Sequence, residues 1–377
     1  MKVLIVTTHL LGTGHLARAA TLARAFQSEG HAVRLVSGGF PAPHLDLSGL
    51  DVVQLPPLRS DGTDFARLLT AGHQPADATC HDARRSRLVA TLLGFSPDVL
   101  ITELFPFGRR MLRQEFLALL SAAARMARRP VVLASVRDIL APPSSPAKAD
   151  QTQAWLDEHY DGVLVHSDPA LVRLDASWPM NDHLRPMLHY TGFVAPPPPA
   201  PHPAGAGHGE ILVSAGGGRV GQPLFRAALD AAQQTPDLRW RLLVGGGAAE
   251  VLRTTRPDSP AIIEPARPDF RQMLPLAAAS VSMCGYNTAL DLLQTGCPAV
   301  VVPFDDGAEV EQTLRARALA RAGAVSVLTS ADLSGKALAE AVTRAIATPR
   351  RSGEGPRCDG GASSVAIAER LAEARAL

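Results

Sequence analysis

The sequence predicts an α/β protein of two doubly wound, Rossmann-like domains, and three observations carry that prediction. Short, wholly apolar runs alternate with amphipathic stretches through both halves of the chain. A proline- and glycine-dense segment at 193–209 breaks the alternation once, near the middle. The chain has 377 residues, more than one ordinary domain needs and enough for two.

In the first half, "VLIV" (3–6), "AVRLVS" (32–37), "DVLIT" (98–102), "PVVLAS" (130–135) and "GVLVHS" (162–167) lack a polar face. They read as parallel strands buried on both sides. "ARAATLARAFQSEG" (17–30) is an amphipathic helix closing on Gly30, where a C′ glycine can take positive φ. "FVAPPPPAPHPAGAGHG" (193–209) fits neither helix nor central strand and reads as an exposed, stiff linker. Alternation restarts with "EILVSAGGG" (210–218), "WRLLVGGG" (240–247), "PAIIEPA" (260–266), "ASVSMC" (279–284) and "PAVVVPF" (298–304). The expected organisation is a first domain over 1–192, a linker over 193–209, a second domain over 210–360 and a terminal helix over 361–377. Two such domains are expected to face a cleft, with ligands at strand C-termini and helix N-termini.

Composition narrows the function. Hydrophobic residues at 46% and charged residues at 19% allow full cores. A formal net charge of +1 argues against a nucleic-acid binder. Cys80, Cys284, Cys297 and Cys358 are scattered, which suits a reduced, cytoplasmic protein. "MKVLIV" stops at Thr7 without a cleavage site, and no apolar run reaches the roughly 18 residues of a membrane span.

"GTGHLA" (12–17) follows the first strand and fits Gly-x-Gly-x-x-Ala formally. A nicotinamide site also needs an acid at the end of the second strand, and "LVSGGF" (35–40) has none. Gly12 and Gly14 remain a ligand-loop candidate, and His15 a general base with an ordinary pKa near 6.5. The plain alternative for His15 is a helix-start histidine bonded to a loop carbonyl. "VSAGGGRVG" (213–221) offers Ser214, Gly216, Gly217 and Gly218 to a diphosphate, or is only a tight turn. In "CGYNTALD" (284–291), Gly285, Asn287 and Thr288 form a turn at a strand end. Asp291, one helical turn on, can accept from both hydroxyls of a ribose. Glu311 and Gln312 end a later loop and could meet sugar hydroxyls. Helix-start charges are the bland reading of all three. Glu103 and the pair Arg137–Asp138 follow strands of the first domain and should line its ligand side, or Arg137 and Asp138 form a structural ion pair. Cys80, His81 and His73 have no zinc spacing, and "FDDG" (304–307) reads as loop. Six arginines between 109 and 129, interleaved with Leu112, Phe116, Leu119 and Leu120, suggest either a membrane-surface helix or one with an ordinary core face.

Taken together, "GTGHLAR", "SAGGG", "CGYNTALD" and "VPF…EQ" resemble the GT-B nucleotide-sugar glycosyltransferases of the family 28 type. These are related to the bacterial GlcNAc transferase that makes peptidoglycan lipid II. "ELFPFGRR", "VRDIL", "YDGVLVHSDP", "YTGFV" and "RPDF" resemble the bacterial "predicted glycosyltransferase" group, and the likeness spans nearly the whole chain. The resemblance implies inverting, metal-independent transfer of a hexose or N-acetylhexosamine from a nucleotide-diphosphate sugar, UDP-linked, to a hydroxyl acceptor. The donor is a substrate, and no cofactor is implied. His15 would act at the reacting centre, with Glu103 the second catalytic candidate. Ser214 and Gly216 to Gly218 would hold the diphosphate, Asp291 the ribose in place of a longer glutamate, and Glu311 and Gln312 the sugar. The backbone of 265–267, including Arg267, would face the base, and Arg137 and Asp138 the acceptor. The family's first loop has a further glycine before the histidine that this chain lacks. A lipid-linked acceptor and a peripheral contact with the inner membrane face are the partner expectations. A UDP-sugar epimerase and a non-catalytic nucleotide-sugar-binding protein are the alternatives.

Overall fold

The computed structural model describes residues 1–61, 64–215, 221–245, 249, 252, 258–305, 310–351 and 356–376. They form two compact units, one of 1–196 with 357–377, the other of 197–356.

The first unit is a seven-stranded parallel sheet. Its strands are β1 (Lys2–Thr7), β2 (Ala32–Ser37), β3 (Asp51–Gln54), β6 (Val99–Glu103), β7 (Val131–Arg137), β8 (Gly162–His166) and β9 (Leu188–Tyr190), in the order β3-β2-β1-β6-β7-β8-β9. Between β3 and β6 a small antiparallel hairpin, β4 (Arg59–Asp61) and β5 (Asp64–Leu69), stands apart from the sheet. β6 and β8 are buried at every position, as expected for strands covered on both faces. Helix α1 (Gly14–Ser28) is followed by Gly30 at φ +80°, the left-handed stop its sequence predicts. Strand order reverses between β1 and β6. That switch point is where open α/β sheets bind ligands.

The second unit repeats the plan with β10 (Glu210–Ser214), β11 (Arg239–Val244), β12 (Ile262–Pro265), β13 (Ala279–Ser282), β14 (Ala299–Val301) and β15 (Ser326–Val327). Their order, β12-β11-β10-β13-β14-β15, reverses between β10 and β13. The five strands expected in each half are present, and β3, β9 and β15 are additional. These three are short or only partly buried, so hydrophobic runs do not mark them.

Two boundaries differ from expectation. The segment 193–209 is not an exposed linker throughout. Phe193 and Val194 are 2% and 3% exposed in the first unit, where Val194 bridges Asp359. On the other side His202 donates its N–H to Gln272 (2.9 Å) and Gly209 to Leu276 (3.0 Å), within the second unit. Most residues from 196 to 209 are exposed, but Phe193, Val194 and Gly207 are buried. The final helix, Gly360–Ala376, also belongs to the first unit. Its Val365 and Ala368 enter the core beside Leu16, Ala19 and Ala23 of α1, and Arg375 donates to the Pro130 carbonyl (2.6 Å).

The arginine-rich stretch includes helix α3 (Arg113–Ala124), which follows α2 (Ala78–Phe95) in helix order. Leu112, Phe116, Leu119 and Leu120 are all buried in the core, so its apolar face is not available to a membrane surface. Arg110 is tied to Thr152 (2.5 Å), and Arg128 lies 3.3 Å from Asp98. Among the described residues no helix is long and apolar enough to cross a membrane.

Candidate active site

The β1–α1 turn and the end of β6 meet at the switch point of the first sheet. Gly12 is exposed in the turn, and Gly14 opens α1. At the end of β2, a Cβ on Gly38 would stand 2.2 Å from Thr8 Oγ1, and one on Gly39 2.3 Å from the His9 carbonyl. The β1 turn packs that closely, so "SGG" is a fit of backbones that sequence reading passed over.

His15 Nδ1 donates to Glu103 Oε1 (2.8 Å). The same carboxylate takes Arg18 as a buried ion-pair partner and the Ser135 hydroxyl on Oε2 (2.8 Å). Burial pushes the Glu103 carboxyl up, but Arg18 and the bonds from His15 and Ser135 outweigh it and hold it well below the usual range. An ionised carboxylate only accepts. Ser135 therefore donates to it and must accept from His166 Nε2 (2.9 Å), while His166 Nδ1 lies 2.9 Å from Thr191 Oγ1, whose proton goes to the Gly192 carbonyl (2.6 Å). The bond to an ionised Glu103 puts the His15 proton on Nδ1 and leaves Nε2 without a hydrogen-bond partner among the described residues. Burial lowers the His15 pKa to about 3 despite Glu103, so the imidazole is neutral at pH 7 but a weaker base than the ordinary histidine expected from the sequence. Sequence reading found His15 and Glu103 but missed Arg18, Ser135, His166 and Thr191. The only available signals were Arg18 three residues beyond His15 and a histidine ending the apolar strand "GVLVH".

These burials have a measurable consequence. His166 is pushed down to about 3 by burial, and His15, His9, His159 and His189 also shift downward by burial. Below 6.5 the unfolded chain gains protons that the native state does not, so stability falls as pH falls. Each fully shifted histidine contributes up to ~1.4 kcal/mol per pH unit. Urea unfolding between pH 7 and 5, above the range where carboxylates titrate, should show the loss. A flat profile would contradict neutral burial of these rings.

Arg137 ends β7 half-buried, whereas Asp138 is fully buried and offers no surface to the acceptor expected of it. Arg137 lies close enough to His15 and Arg109 to depress both their pKa values.

In the second unit the switch point brings together the end of β10 and the turn after β13. Ser214 closes β10, half-buried. Gly216, Gly217 and Gly218 lie outside the described residues, as does the end of the "FDDG" loop. A Cβ on Gly221 would meet the Ala215 Cβ at 2.1 Å, so Gly221 packs against the end of β10 without room for a side chain. Gly285 is the extended N-cap of helix Tyr286–Thr295, which has no side-chain cap. Asn287 is exposed and Thr288 half-buried in its first turn, so the helix presents open N–H groups beside the strand ends.

The carboxylates there are less free than expected. Asp291 Oδ1 accepts from Arg271 Nε (2.5 Å), and Arg271 is held in turn by Gln294 (3.0 Å). Only Oδ2 remains for a ribose, in place of the two open oxygens expected. Burial raises the Asp291 pKa, with Arg271 opposing. Glu311 is no solvated helix start: it pairs with Arg315 (2.8 Å), which donates to the Cys284 carbonyl (2.8 Å). Gln312 Oε1 accepts from the N–H groups of Cys284 and Phe304 (both 3.1 Å), tying the ends of β13 and β14 together. Arg267 forks onto Asp269 (2.8 and 2.6 Å), and the Ala266 N–H donates to Val244 (3.1 Å). That amide is therefore committed within the sheet edge.

Residues 216–371 match the description "Glycosyltransferase family 28 C-terminal domain". This region is similar to the C-terminal domain of family 28 glycosyltransferases. The curated relatives include a UDP-N-acetylglucosamine–N-acetylmuramyl-(pentapeptide) pyrophosphoryl-undecaprenol N-acetylglucosamine transferase from Gloeobacter violaceus, 30% identical over 37% of this chain and 40% of the relative. The one from Rhodospirillum centenum is 29% identical over 37% of this chain and 38% of its own length. The chain thus matches about two fifths of the length of these relatives. Among solved structures, VinC in complex with dTDP aligns at TM-score 0.63 and 16% identity, covering 99% of this chain and 100% of that one. MurG of Acinetobacter baumannii aligns at 0.62 and 15%, covering 98% and 100%. The calicheamicin glycosyltransferase CalG4 aligns at 0.60 and 16%, covering 99% and 94%. The fold is therefore that of GT-B glycosyltransferases.

Proposed function

We propose that the protein is an inverting glycosyltransferase that moves a hexose or N-acetylhexosamine from a nucleotide-diphosphate sugar to a hydroxyl acceptor. The observation that carries this reading is His15, neutral and open at Nε2, oriented at Nδ1 by a buried, ionised Glu103. The acceptor hydroxyl gives its proton to His15 Nε2 as its oxygen bonds to the anomeric carbon. The bond from that carbon to the diphosphate oxygen breaks, and the nucleoside diphosphate leaves with the electron pair. Glu103 stabilises the imidazolium as it forms. The leaving charge is met by the N-terminal N–H groups of helix Tyr286–Thr295 and by the end of β10 at Ser214, dipoles in place of a cation. A UDP-linked donor is supported by the names of the curated relatives, and the pyrophosphoryl-undecaprenol in those names makes a polyprenyl-linked alcohol one acceptor candidate. With such an acceptor the protein would work at the inner membrane face.

Incubation with UDP-GlcNAc tests the reading. Release of UDP, slow in water and faster with an acceptor, is expected. Epimerised donor, or UDP binding without any turnover, would replace it with an epimerase or a non-catalytic binder. Asp291→Asn isolates the donor site: losing the charged Oδ2 contact should weaken UDP binding about tenfold by calorimetry. Unchanged affinity would remove Asp291 from the ribose.

A further inference from the structure

His15 Nδ1 has two neighbours of opposite kind. Glu103 Oε1 lies 2.8 Å away and, ionised, can only accept. Arg18 Nη2 lies 3.3 Å away and can only donate. Arg18 sits three residues beyond His15 on α1, and both it and Glu103 are buried. Each neighbour demands a different tautomer of the neutral ring. The carboxylate needs the proton on Nδ1, which leaves Nε2 bare. The guanidinium needs Nδ1 bare, which moves the proton to Nε2 and closes the atom that would take a proton.

What tips this competition lies behind Glu103. Left alone, a carboxylate beside an arginine turns both oxygens to the guanidinium fork. Here Oε2 is held away from that fork, because it accepts the Ser135 hydroxyl at 2.8 Å. Ser135 is buried on β7, directly opposite Glu103 in the β6–β7 register. Its one proton goes to Glu103, so the hydrogen between Ser135 and His166 belongs to His166 Nε2, at 2.9 Å. His166 ends β8 and is fully buried. Its N–H polarises the serine hydroxyl and strengthens the bond to the carboxylate. Three adjacent strands thus supply one residue each to a brace that keeps Oε1 on His15 as well as on Arg18.

We propose that Ser135, backed by His166, is a positioning residue that selects the His15 tautomer protonated on Nδ1 and open at Nε2, against the competing claim of Arg18. Its bearing on turnover rests on the reading of His15 as base, while the tautomer is measurable without turnover. Long-range nitrogen–proton NMR of histidine-labelled protein near neutral pH reads it, the His15 signals being those lost in His15→Ala. Wild type should carry the proton on Nδ1. Ser135→Ala should move about nine-tenths of the ring population to the Nε2-protonated form. It should lower kcat in proportion, about tenfold, with the donor KM nearly unchanged. Ser135→Thr keeps the hydroxyl and should keep the tautomer, with kcat within about threefold of wild type. A merely structural serine would instead lower Tm and leave the tautomer and turnover per folded molecule intact. That pattern, a wild type already protonated on Nε2, or a threonine variant that behaves like the alanine one would overturn the proposal. The wild-type spectrum decides even if the alanine variant does not fold. Turnover retained in His15→Ala would defeat the base reading and leave the tautomer result standing.

Discussion

His15→Ala is expected to lower kcat by about 10²–10⁴, the usual contribution of a positioned acid–base group. UDP affinity should be unchanged, because the donor contacts proposed here all lie in the second unit. The imidazole makes its bond to Glu103 with Nδ1 and keeps Nε2 for the acceptor, so its removal touches chemistry more than packing. A purely structural histidine predicts the reverse, a lower Tm with turnover per folded molecule nearly intact. Both quantities measured on one sample separate the two. Turnover within a few-fold of wild type would end the case for His15 as base.

Glu103→Ala should cost about 3–5 kcal/mol of stability, the penalty for leaving a buried charge without its partner. Arg18 and Glu103 are both 3% exposed at the side chain, so water cannot replace the lost carboxylate. Ser135 and His15 lose their acceptor in the same substitution. Glu103→Gln keeps the shape and one acceptor oxygen, and should fold better than the alanine variant while remaining slow. Urea titration of the three proteins gives the comparison. A loss below about 1 kcal/mol for the alanine variant would mean that Arg18 finds another anion.

The two parallel sheets were legible because apolar runs such as "VLIV" and "EILVS" are the direct record of strands covered on both faces. His15 and Glu103 were legible as residues at strand ends. Their bond was not, since the two stand 88 positions apart and only the β1–β6 pairing brings them together. Asp291, Glu311 and Gln312 were read as ligand contacts from spacing and from the family resemblance. Spacing says nothing of Arg271, Arg315 or the Cys284 amide, which engage them in the structure. The linker was overextended because proline density excludes regular elements without excluding burial, and Phe193 and Val194 are buried.

The return of the chain to the first unit at Arg357 sets an order on biosynthesis. A ribosome delivers 1–196 early, yet the core around α1, which packs on β1 and β2, is completed only when Val365 and Ala368 emerge. The intervening unit is contiguous from 197 to 356 and has its own core, so it can close as soon as it is translated. A nascent chain stalled before residue 357 would hold a finished second unit and a first unit with an exposed hydrophobic groove, the surface chaperones recognise. The domain that begins folding first is the last to be completed.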